Sequence, residues 1–327
     1  MKAMLLHKLG EPLKLQEIEQ PQPLDHQVLI RVLACGVCRT DLHIIDGEIP
    51  APHLPLILGH QIVGSLVAIG KNVTRFHLGQ RVGVPWLGHT CKRCHYCYSH
   101  HENLCDQALF TGYHLQGGYA EYCVADADYI FALPQQYSDC DVAPLLCAGM
   151  IGYRSLKMTK SAQRIGFYGF GASAHLLCQL ATHQGKEVFA FTRPGDKAGQ
   201  EFARSLGAVW VGSSLQRPAQ QLDAAIIFAP RGELIPLALA AVRKGGIVVS
   251  AGIHMSQIPA FDYALLWGER VLCSVANLTR EDGEEFLSLA SQFPIQAQVT
   301  SYPLQAANEA LSDLKQGHLH GSAVLVP

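Results

Sequence analysis

Four closely spaced cysteines are the clearest chemical signal in this chain. Cys91, Cys94, Cys97 and Cys105 form a C-x2-C-x2-C-x7-C run. Four thiolates at such spacing can enclose a zinc ion tetrahedrally, and four protein ligands are typical of a structural zinc site. A disulfide cluster and a chance run are the alternatives. We predict a structural zinc ion held by this run.

A second set of possible metal ligands is scattered through the sequence. It consists of Cys38 in CGVCRTDLH, His60 in LGHQIVG and Cys147 in APLLCAG. Two cysteines and one histidine leave the fourth position of a zinc ion open for water or a substrate, as catalytic zinc sites do. These three residues alone are weak evidence for a metal site, and the prediction depends on the residues around them. One full site beside one open site predicts a zinc enzyme with two zinc ions per chain.

The size and charge of the chain narrow the possible function classes. With 327 residues it is long enough for two domains, each with its own core. The formal net charge of -2, without basic blocks, argues against nucleic acid or an anionic membrane as a partner. The N-terminal segment lacks a signal-peptide core, and no apolar stretch is long enough to span a bilayer. We therefore expect a cytoplasmic protein.

The cysteine count supports metal binding over a disulfide framework. The chain has eleven cysteines, an odd number, and no secretion signal. The cysteines outside the two ligand sets lie in apolar runs and are predicted to be buried, inert thiols: Cys35, Cys123, Cys140, Cys178 and Cys273.

Three sequence textures follow one another. Residues 1–128 contain short strand-like runs such as QVLIRVLA and GSLVAIG, bounded by Gly, Pro and Asp. A helical pattern over residues 139–157 includes Cys147. From Arg164 onward, six apolar runs alternate with amphipathic or Ala-rich stretches, which predicts a doubly wound parallel sheet in an α/β protein. After Ala276, two helices and the strand SAVLVP are predicted to return to the first part.

A glycine-rich turn opens the alternating region. Gly169, Gly171 and Ala174 form a G-x-G-x-x-A pattern between the strand IGFYGF and the helix HLLCQLATHQ. Gly169 permits a tight turn, Gly171 lets the backbone approach a pyrophosphate, and Ala174 lets the helix pack against the sheet. An ordinary glycine turn is the alternative. We predict a dinucleotide site formed by Gly169, Gly171, Ala172, Ser173 and Ala174.

The residues after the next strand bear on the choice of cofactor. Thr192 and Arg193 follow the run EVFAF, and Lys197 comes shortly after them. A carboxylate at this place would bond the ribose hydroxyls of NAD(H) and repel the 2′-phosphate of NADP(H). A hydroxyl and two cations favour NADP(H), with NAD(H) possible and a solvated basic loop as the alternative.

Taken together, these motifs resemble the zinc-dependent alcohol dehydrogenases of the medium-chain dehydrogenase/reductase superfamily, in particular bacterial members grouped with the cinnamyl alcohol dehydrogenases. The resemblance runs from the first strand to the last and includes ACGVCRTDLH, PLILGHQIVG, FTGYHLQGGYAEY, YGFGASAH and AGIHMSQIPAFDYALLWGE. It implies a GroES-like, β-rich catalytic domain at residues 1–150 and 277–327, with both zinc sites. It implies a Rossmann dinucleotide-binding domain at residues 151–276. It also implies hydride transfer between a primary alcohol/aldehyde pair and the cofactor, in a homodimer or homotetramer assembled through the Rossmann domain.

The resemblance assigns the metal ligands. It places the catalytic zinc on Cys38, His60 and Cys147, and the structural zinc on the four-cysteine run. Two thiolates and a neutral imidazole cancel the charge of the ion, which suits the binding of an alcohol oxygen. Asp41 would orient the ring of His60 from behind.

The resemblance also assigns roles around the substrate and cofactor. Thr40 would contact the substrate oxygen, and His43 would take its proton through the nicotinamide ribose. Arg39 would reach the cofactor pyrophosphate, and Trp86 in VGVPWLG would line the substrate pocket.

Two positions depart from the family pattern. Gln61 stands where the family usually has Glu, and His320 stands where it usually has Arg. The two side chains approach one another behind the zinc in related enzymes, so their fixed opposite charges would be lost together. Because Gln61 cannot act as a transient carboxylate ligand, this departure bears on ligand exchange and cofactor release.

Two other interpretations remain open. The first is a catalytically silent or zinc-independent, quinone-reductase-like relative, against which the intact Cys38, His60 and Cys147 argue. The second is a zinc-finger binding module, which lacks basic patches here and leaves the dinucleotide half unexplained.

Overall fold

The computed structural model describes residues 1–50, 52–319 and 321–327. The chain divides into two compact units. The first unit comprises Met1–Met150 and Asn277–Pro327, and the second comprises Ile151–Ala276. Within the described ranges, no helix combines the length and the apolarity that crossing a bilayer requires.

The strands and helices are numbered in chain order. The strands are β1 (Lys2–Leu6), β2 (Lys14–Glu17), β3 (Gln27–Val37), β4 (Leu56–Ile57), β5 (Ile62–Ile69), β6 (Arg81–Val84), β7 (Leu87–His89), β8 (Leu109–Phe110), β9 (Tyr122–Asp126), β10 (Phe131–Ala132), β11 (Arg164–Tyr168), β12 (Glu187–Thr192), β13 (Trp210–Ser213), β14 (Leu222–Ile227), β15 (Val242–Ser250), β16 (Val271–Ser274), β17 (Val299–Pro303) and β18 (Ser322–Val326). The helices are α1 (Arg39–Ile45), α2 (His95–Tyr98), α3 (Asp139–Val142), α4 (Ala148–Met158), α5 (Ala172–His183), α6 (Lys197–Ser205), α7 (Leu234–Ala241), α8 (Arg280–Gln292) and α9 (Ala307–Gln316). Short 3-10 segments cover Glu102–Leu104, Ala127–Tyr129, Ala143–Leu146, Tyr263–Leu265 and Leu304–Ala306.

The first unit is organised around β3. One edge of β3 pairs with β5, and the other edge pairs with β9 and then with β18. The sheet order is β10-β6-β5-β3-β18-β17, with β9 beside β3. Eight of the eleven residues of β3 are buried, which agrees with its apolar sequence. The C-terminal strand thus joins the N-terminal sheet, as the texture of the tail predicts.

The second unit contains six parallel strands. Their order is β13-β12-β11-β14-β15-β16, so the chain starts in the middle of the sheet and reverses direction once. This is the strand order of doubly wound dinucleotide-binding folds. The apolar runs are buried because helices cover the sheet; Phe167, Tyr168 and Phe191 are each at most 1 % exposed. The predicted fold class is confirmed.

The helical pattern predicted for residues 139–157 is interrupted. α3 passes into a 3-10 segment that contains Pro144, and Cys147 lies between this segment and α4 with φ −131° and ψ −68°. Proline has no N–H to donate and disturbs a regular helix. The prediction that Cys147 sits inside a helix was therefore wrong.

The cysteines outside the ligand sets are not all buried. Cys35, Cys123 and Cys178 are buried, whereas Cys140 and Cys273 are partly accessible. Cys140 lies in the short helix α3, and Cys273 lies on β16 at the end of the sheet. Burial raises the pKa of the Cys123 thiol to about 12 and that of Cys178 to about 11, so these two thiols are inert.

Candidate active site

Strand pairing brings the first two ligands of the open set together. Cys38 directly follows β3, and His60 lies just before β5. Because β3 and β5 pair antiparallel with Cys35 opposite Ile62, the end of β3 and the start of β5 are neighbours. The third ligand, Cys147, follows the 3-10 segment, whose Leu146 packs against Gly83 of β6; a Cβ at Gly83 would lie 2.6 Å from Leu146.

The ligand atoms of Cys38, His60 and Cys147 all lie within 4.8 Å of one another. The two sulfurs are 4.0 Å apart. A tetrahedral zinc ion with Zn–S bonds of about 2.3 Å holds two sulfurs about 3.8 Å apart, so this spacing fits zinc. Among the described residues, no fourth Cys, His, Asp or Glu joins the group.

His60 gives a second indication of a metal. The residue is fully buried, and within the described part of the chain neither ring nitrogen makes a hydrogen bond; Nδ1 has an ion-pair contact with Asp41 at 3.5 Å, and Nε2 has no partner. A buried polar atom without a partner is costly, and a metal ion would satisfy it. The donor set and the orphaned ring therefore both fit a zinc ion.

The two thiols have unequal acidities. The Cys147 S–H, with help from His60, holds the pKa of the Cys38 thiol well below its usual range despite burial. Contact with Cys38 and burial raise the pKa of Cys147 well above its usual value. The Cys38 thiolate therefore forms easily, and its negative charge opposes the ionisation of Cys147. A divalent cation bound to both sulfurs would remove this opposition, because thiolates are the metal-binding form.

Asp41 supports both Cys38 and His60. Its carboxylate accepts hydrogen bonds from the backbone N–H of Cys38 at 2.8 Å, the N–H of Gly59 at 3.3 Å and the hydroxyl of Tyr119 at 3.0 Å. It also lies 3.5 Å from Nδ1 of His60. Burial lowers the pKa of His60, but Asp41 and Cys38 outweigh this effect and raise the pKa to about 10.

The approach of Tyr119 depends on a glycine. Gly59 has φ +94°, and a Cβ there would lie 2.4 Å from the Tyr119 ring. A side chain at this position would be strained by the backbone angle and would push Tyr119 away from Asp41. The glycine before His60 is thus part of the support for the metal ligands.

Trp86 lies directly against the metal ligand. Its ring contacts the His60 ring edge-on with centroids 4.8 Å apart. It stacks with Phe110 at 5.1 Å and with Tyr113 at 5.8 Å. The sequence interpretation included Trp86 but missed Phe110 and Tyr113, because aromatic residues at such distances in the chain carry no spacing signal.

The residues of the predicted proton path lie on α1. Asp41 is the N3 residue of this helix, and its bond to Cys38 fixes the first turn. The Thr40 hydroxyl lies 3.7 Å from Cys38 Sγ, and His43 is only 8 % exposed. The Nδ1 atom of His43 contacts the Glu48 carboxylate. The sequence analysis missed Glu48, since an acidic residue in a loop gives no sign of its partner.

The four-cysteine run also closes into a compact group. All four sulfurs lie within 4.8 Å of one another, with Cys97 at 3.9 Å from Cys91 and 3.6 Å from Cys94. The sulfur of Cys105 accepts hydrogen bonds from the N–H groups of Cys91 at 3.5 Å and Gln107 at 3.4 Å. The backbone N–H of Arg93 is the main cause that lowers the pKa of Cys91 to about 6, whereas burial raises that of Cys105 to about 11. The spacing is that of a closed zinc site.

In the second unit, the glycine turn connects β11 to α5. Gly169 has φ +92°, and a Cβ there would lie 2.9 Å from Ala229, so only glycine fits. Around Gly171, by contrast, a Cβ would meet nothing within 4 Å. α5 begins at Ala172 without a side-chain cap, and Ala174 is fully buried. The first N–H groups of α5 are therefore suited to an anion approaching over Gly171.

The predicted phosphate-binding residues divide into two kinds. Arg193 and Lys197 are exposed. Thr192 is only 3 % exposed; its hydroxyl accepts from Gln200 Nε2 at 3.1 Å and lies 3.4 Å from the Gly212 carbonyl. In this structure the Thr192 hydroxyl is therefore engaged inside the unit, and its contact with a phosphate stays a prediction.

The remaining predicted positions are placed as follows. Arg39 is exposed at the start of α1. Gln61 is buried against Gly36, where a Cβ would lie 2.4 Å from Gln61 Oε1. His320 lies outside the described residues.

Comparisons with known proteins agree with this geometry. Residues 24–135 match the family described as alcohol dehydrogenase GroES-like domain. The chain is 44 % identical to the "Probable alcohol dehydrogenase AdhA" of Mycobacterium tuberculosis over 96 % of this chain and 93 % of that protein. It is 36 % identical to an alcohol dehydrogenase of Geobacillus stearothermophilus over 99 % of both. The structure of CAD from Helicobacter pylori, complexed with NADP(H), superimposes with a TM-score of 0.90 at 25 % identity, covering 99 % of this chain and 97 % of that one.

Proposed function

The chain belongs to the zinc-type alcohol dehydrogenase family, and we propose that it transfers a hydride between a primary alcohol/aldehyde pair and a nicotinamide cofactor, preferably NADP(H). The observation that carries this proposal is the convergence of Cys38, His60 and Cys147 with no fourth ligand grouped among the described residues. An open zinc position is what a reaction at an alcohol or carbonyl oxygen requires.

The first unit would act as the catalytic domain. A zinc ion held by Cys38, His60 and Cys147 would lower the pKa of an alcohol hydroxyl and polarise an aldehyde carbonyl. Asp41 keeps the ring of His60 in place, and Trp86 shields one side of that ring. The apolar surface that Trp86 presents beside His60 excludes water, which strengthens electrostatic interactions at the site.

Thr40 and His43 would move the proton. They are three residues apart on α1 and therefore share a face of the helix. The Thr40 hydroxyl lies 3.7 Å from Cys38 Sγ, which supports a proton exchange with an oxygen at the open position. His43, with a nearly buried ring, would hold that proton before its release to water.

The second unit would bind the cofactor. Its Gly169–Gly171 turn and the uncapped start of α5, including Ala172, Ser173 and Ala174, would hold the pyrophosphate, with Arg39 as a further contact. The exposed cations Arg193 and Lys197 at the end of β12 support a preference for the 2′-phosphate of NADP(H). The nicotinamide ring supplies the acceptor or donor of the hydride when bound.

We also propose two zinc ions per chain and a homodimeric or homotetrameric assembly. The closed set Cys91, Cys94, Cys97 and Cys105 supports the second ion. In the second unit, β16 is the last strand of its sheet; it begins at the exposed Val271, and the exposed side chains of Tyr263 and Trp267 precede it in the chain. An exposed apolar edge of this kind is typical of a surface that pairs with another copy.

Initial rates with NADPH and NADH across a panel of aliphatic and aromatic aldehydes test the proposal. We expect aldehyde-dependent oxidation of NADPH by the zinc-containing protein. A protein with full zinc content that reduces quinones but no aldehyde would replace this function with the quinone-reductase alternative.

A further inference from the structure

His43 and Glu48 form a pair that neither the sequence motifs nor the family resemblance indicated. The Nδ1 atom of His43 is in hydrogen-bond contact with a carboxylate oxygen of Glu48. The His43 side chain is 10 % exposed, whereas that of Glu48 is 43 % exposed. The pair therefore bridges the interior of the first unit and the solvent.

The loop that carries Glu48 is held in place by several contacts. The N–H of Glu48 donates to the carbonyl of His43 at 2.9 Å, across a turn in which Gly47 has φ +72°. Lys315 also binds the Asp46 carboxylate at 2.8 and 2.9 Å, but this ion pair is open to solvent and contributes little to the placement of the loop. Further along, the Tyr113 hydroxyl donates to the Pro50 carbonyl at 2.6 Å. The position of Glu48 beside His43 is thus fixed by the fold on both sides of the residue.

We propose that Glu48 is a positioning residue for the proton path, an inference that rests on the proposed function. An ionised carboxylate only accepts hydrogen bonds, so the Nδ1 atom of His43 must carry the proton in this contact. The lone pair of the ring is then on Nε2, which makes Nε2 the nitrogen that can accept a proton. Glu48 thus selects the tautomer of His43 in which Nε2 can act as a base.

The proton balance is simple. During alcohol oxidation, the hydroxyl proton passes by way of Thr40 to Nε2 of His43, which becomes an imidazolium with both nitrogens protonated. The bound cofactor would take the hydride. The imidazolium then returns to its starting tautomer by releasing the Nε2 proton to water, while Glu48 keeps its hydrogen bond to the proton on Nδ1. Aldehyde reduction follows the same steps in reverse.

The test compares Glu48→Gln with a matched control in the same loop. Glu48→Gln keeps the shape but removes the charge and allows either tautomer. Because the carboxylate is partly exposed, we expect kcat for alcohol oxidation to fall about three- to tenfold, while KM for the alcohol changes less than about twofold. Asp46→Asn breaks the contact to Lys315 without touching His43 and should leave kcat within about twofold of the wild-type value.

A double-mutant cycle decides whether Glu48 acts through His43. In a His43→Gln background, adding Glu48→Gln should change kcat by less than about twofold. An equal loss in both backgrounds, or an equal loss from Asp46→Asn, would assign the effect to loop structure and overturn the inference. So would a wild-type kcat in Glu48→Gln.

The wild-type enzyme separates this inference from the function on which it rests. Wild-type protein that oxidises no alcohol with either cofactor would overturn both. Alcohol oxidation by the wild type with an unaffected Glu48→Gln variant would overturn only the role of Glu48.

Discussion

Oδ1 of Asp41 lies 3.5 Å from Nδ1 of His60, and both side chains are completely shielded from solvent. A ring held from this side presents its other nitrogen, Nε2, to a metal. The same carboxylate accepts the N–H of Cys38 and the hydroxyl of Tyr119. One buried carboxylate therefore positions two of the three ligands, although it is not itself a ligand.

Replacing Asp41 tests this support. In Asp41→Asn, one oxygen becomes an amide N–H₂, which cannot accept the hydrogen bonds from Cys38 and Tyr119. We expect zinc affinity at the open site or turnover to fall about 10- to 100-fold. Chelator competition and kcat measure the two effects. Asp126→Asn, which alters a buried carboxylate paired with His89 at 2.8 Å, is the control and should leave the open site loaded. Unchanged zinc affinity and kcat in Asp41→Asn would show that Asp41 is not needed to position the metal ligands.

The four-cysteine site should contribute to stability instead of chemistry. Cys94→Ser removes one ligand from a closed set whose four sulfurs all lie within 4.8 Å of one another. Because a structural zinc ion contributes directly to folding, we expect the free energy of unfolding to fall by about 4 kcal/mol or more, with one zinc ion lost per chain. Thermal unfolding and elemental analysis measure both. Cys140→Ser, at a thiol outside both sets, should retain two zinc ions. Full zinc content in Cys94→Ser would exclude the assignment.

Cofactor choice depends on exposed charge at the end of β12. A charge-assisted contact to the 2′-phosphate contributes about 1.5–3 kcal/mol before desolvation, which corresponds to roughly tenfold or more in affinity. We expect kcat/KM to favour NADPH over NADH at least about tenfold and Arg193→Ala to erase most of that preference. Added salt should reduce it, because Arg193 is exposed. Arg204→Ala, an exposed arginine in the last turn of α6, is the matched control. An equal kcat/KM for NADPH and NADH would contradict the phosphate contact and favour the alternative that Arg193 lies in a solvated basic loop.

Asp223 should make the stability of the second unit depend on pH in the acid range. It accepts hydrogen bonds from the N–H groups of Gln163 and Arg164 and from the guanidinium of Arg243. Burial raises the pKa of Asp223, but these partners outweigh it and lower the pKa to about 2. A folded pKa below the unfolded value of about 3.9 stabilises the fold above pH 4, and this contribution disappears as the pH falls towards 2.

We therefore expect Asp223→Asn to lower the free energy of unfolding by about 1–2 kcal/mol at pH 7. The difference from wild type should shrink between about pH 4 and pH 2. Urea unfolding of both proteins at several pH values measures it. Acid affects the zinc sites of both proteins alike, so the difference isolates the carboxylate. A difference that persists undiminished at the lowest pH would contradict the assignment.

The parts of the site that follow from residue type could be predicted from the sequence. The turn at Gly169 requires a positive φ and close contact with Ala229, which only glycine permits. The ligand Cys38 precedes a helix start with Asp41 at N3, a pattern visible in the residues themselves. Both features depend on residues that are close together in the sequence, so they can be recognised from the sequence alone.

Features that depend on contacts outside a regular helix or strand spacing could not be predicted. The Thr192 hydroxyl is engaged inside the unit because Gln200, on the following helix, and the Gly212 carbonyl both reach it. Cys147 leaves the predicted helical pattern because the segment around Pro144 packs beneath β6. Glu48 acquires a partner only through the turn at Gly47. In each case the deciding contact joins residues that no spacing rule connects.

The central claim is that the chemistry takes place at a zinc ion held by Cys38, His60 and Cys147. The most direct measurement is aldehyde-dependent NADPH oxidation by Cys38→Ser, made together with its zinc content and far-UV circular dichroism. The account predicts a folded protein that keeps the four-cysteine zinc, holds about one zinc ion per chain and has lost turnover by several orders of magnitude. A Cys38→Ser protein that reduces aldehydes at the wild-type rate with one zinc ion per chain would contradict it.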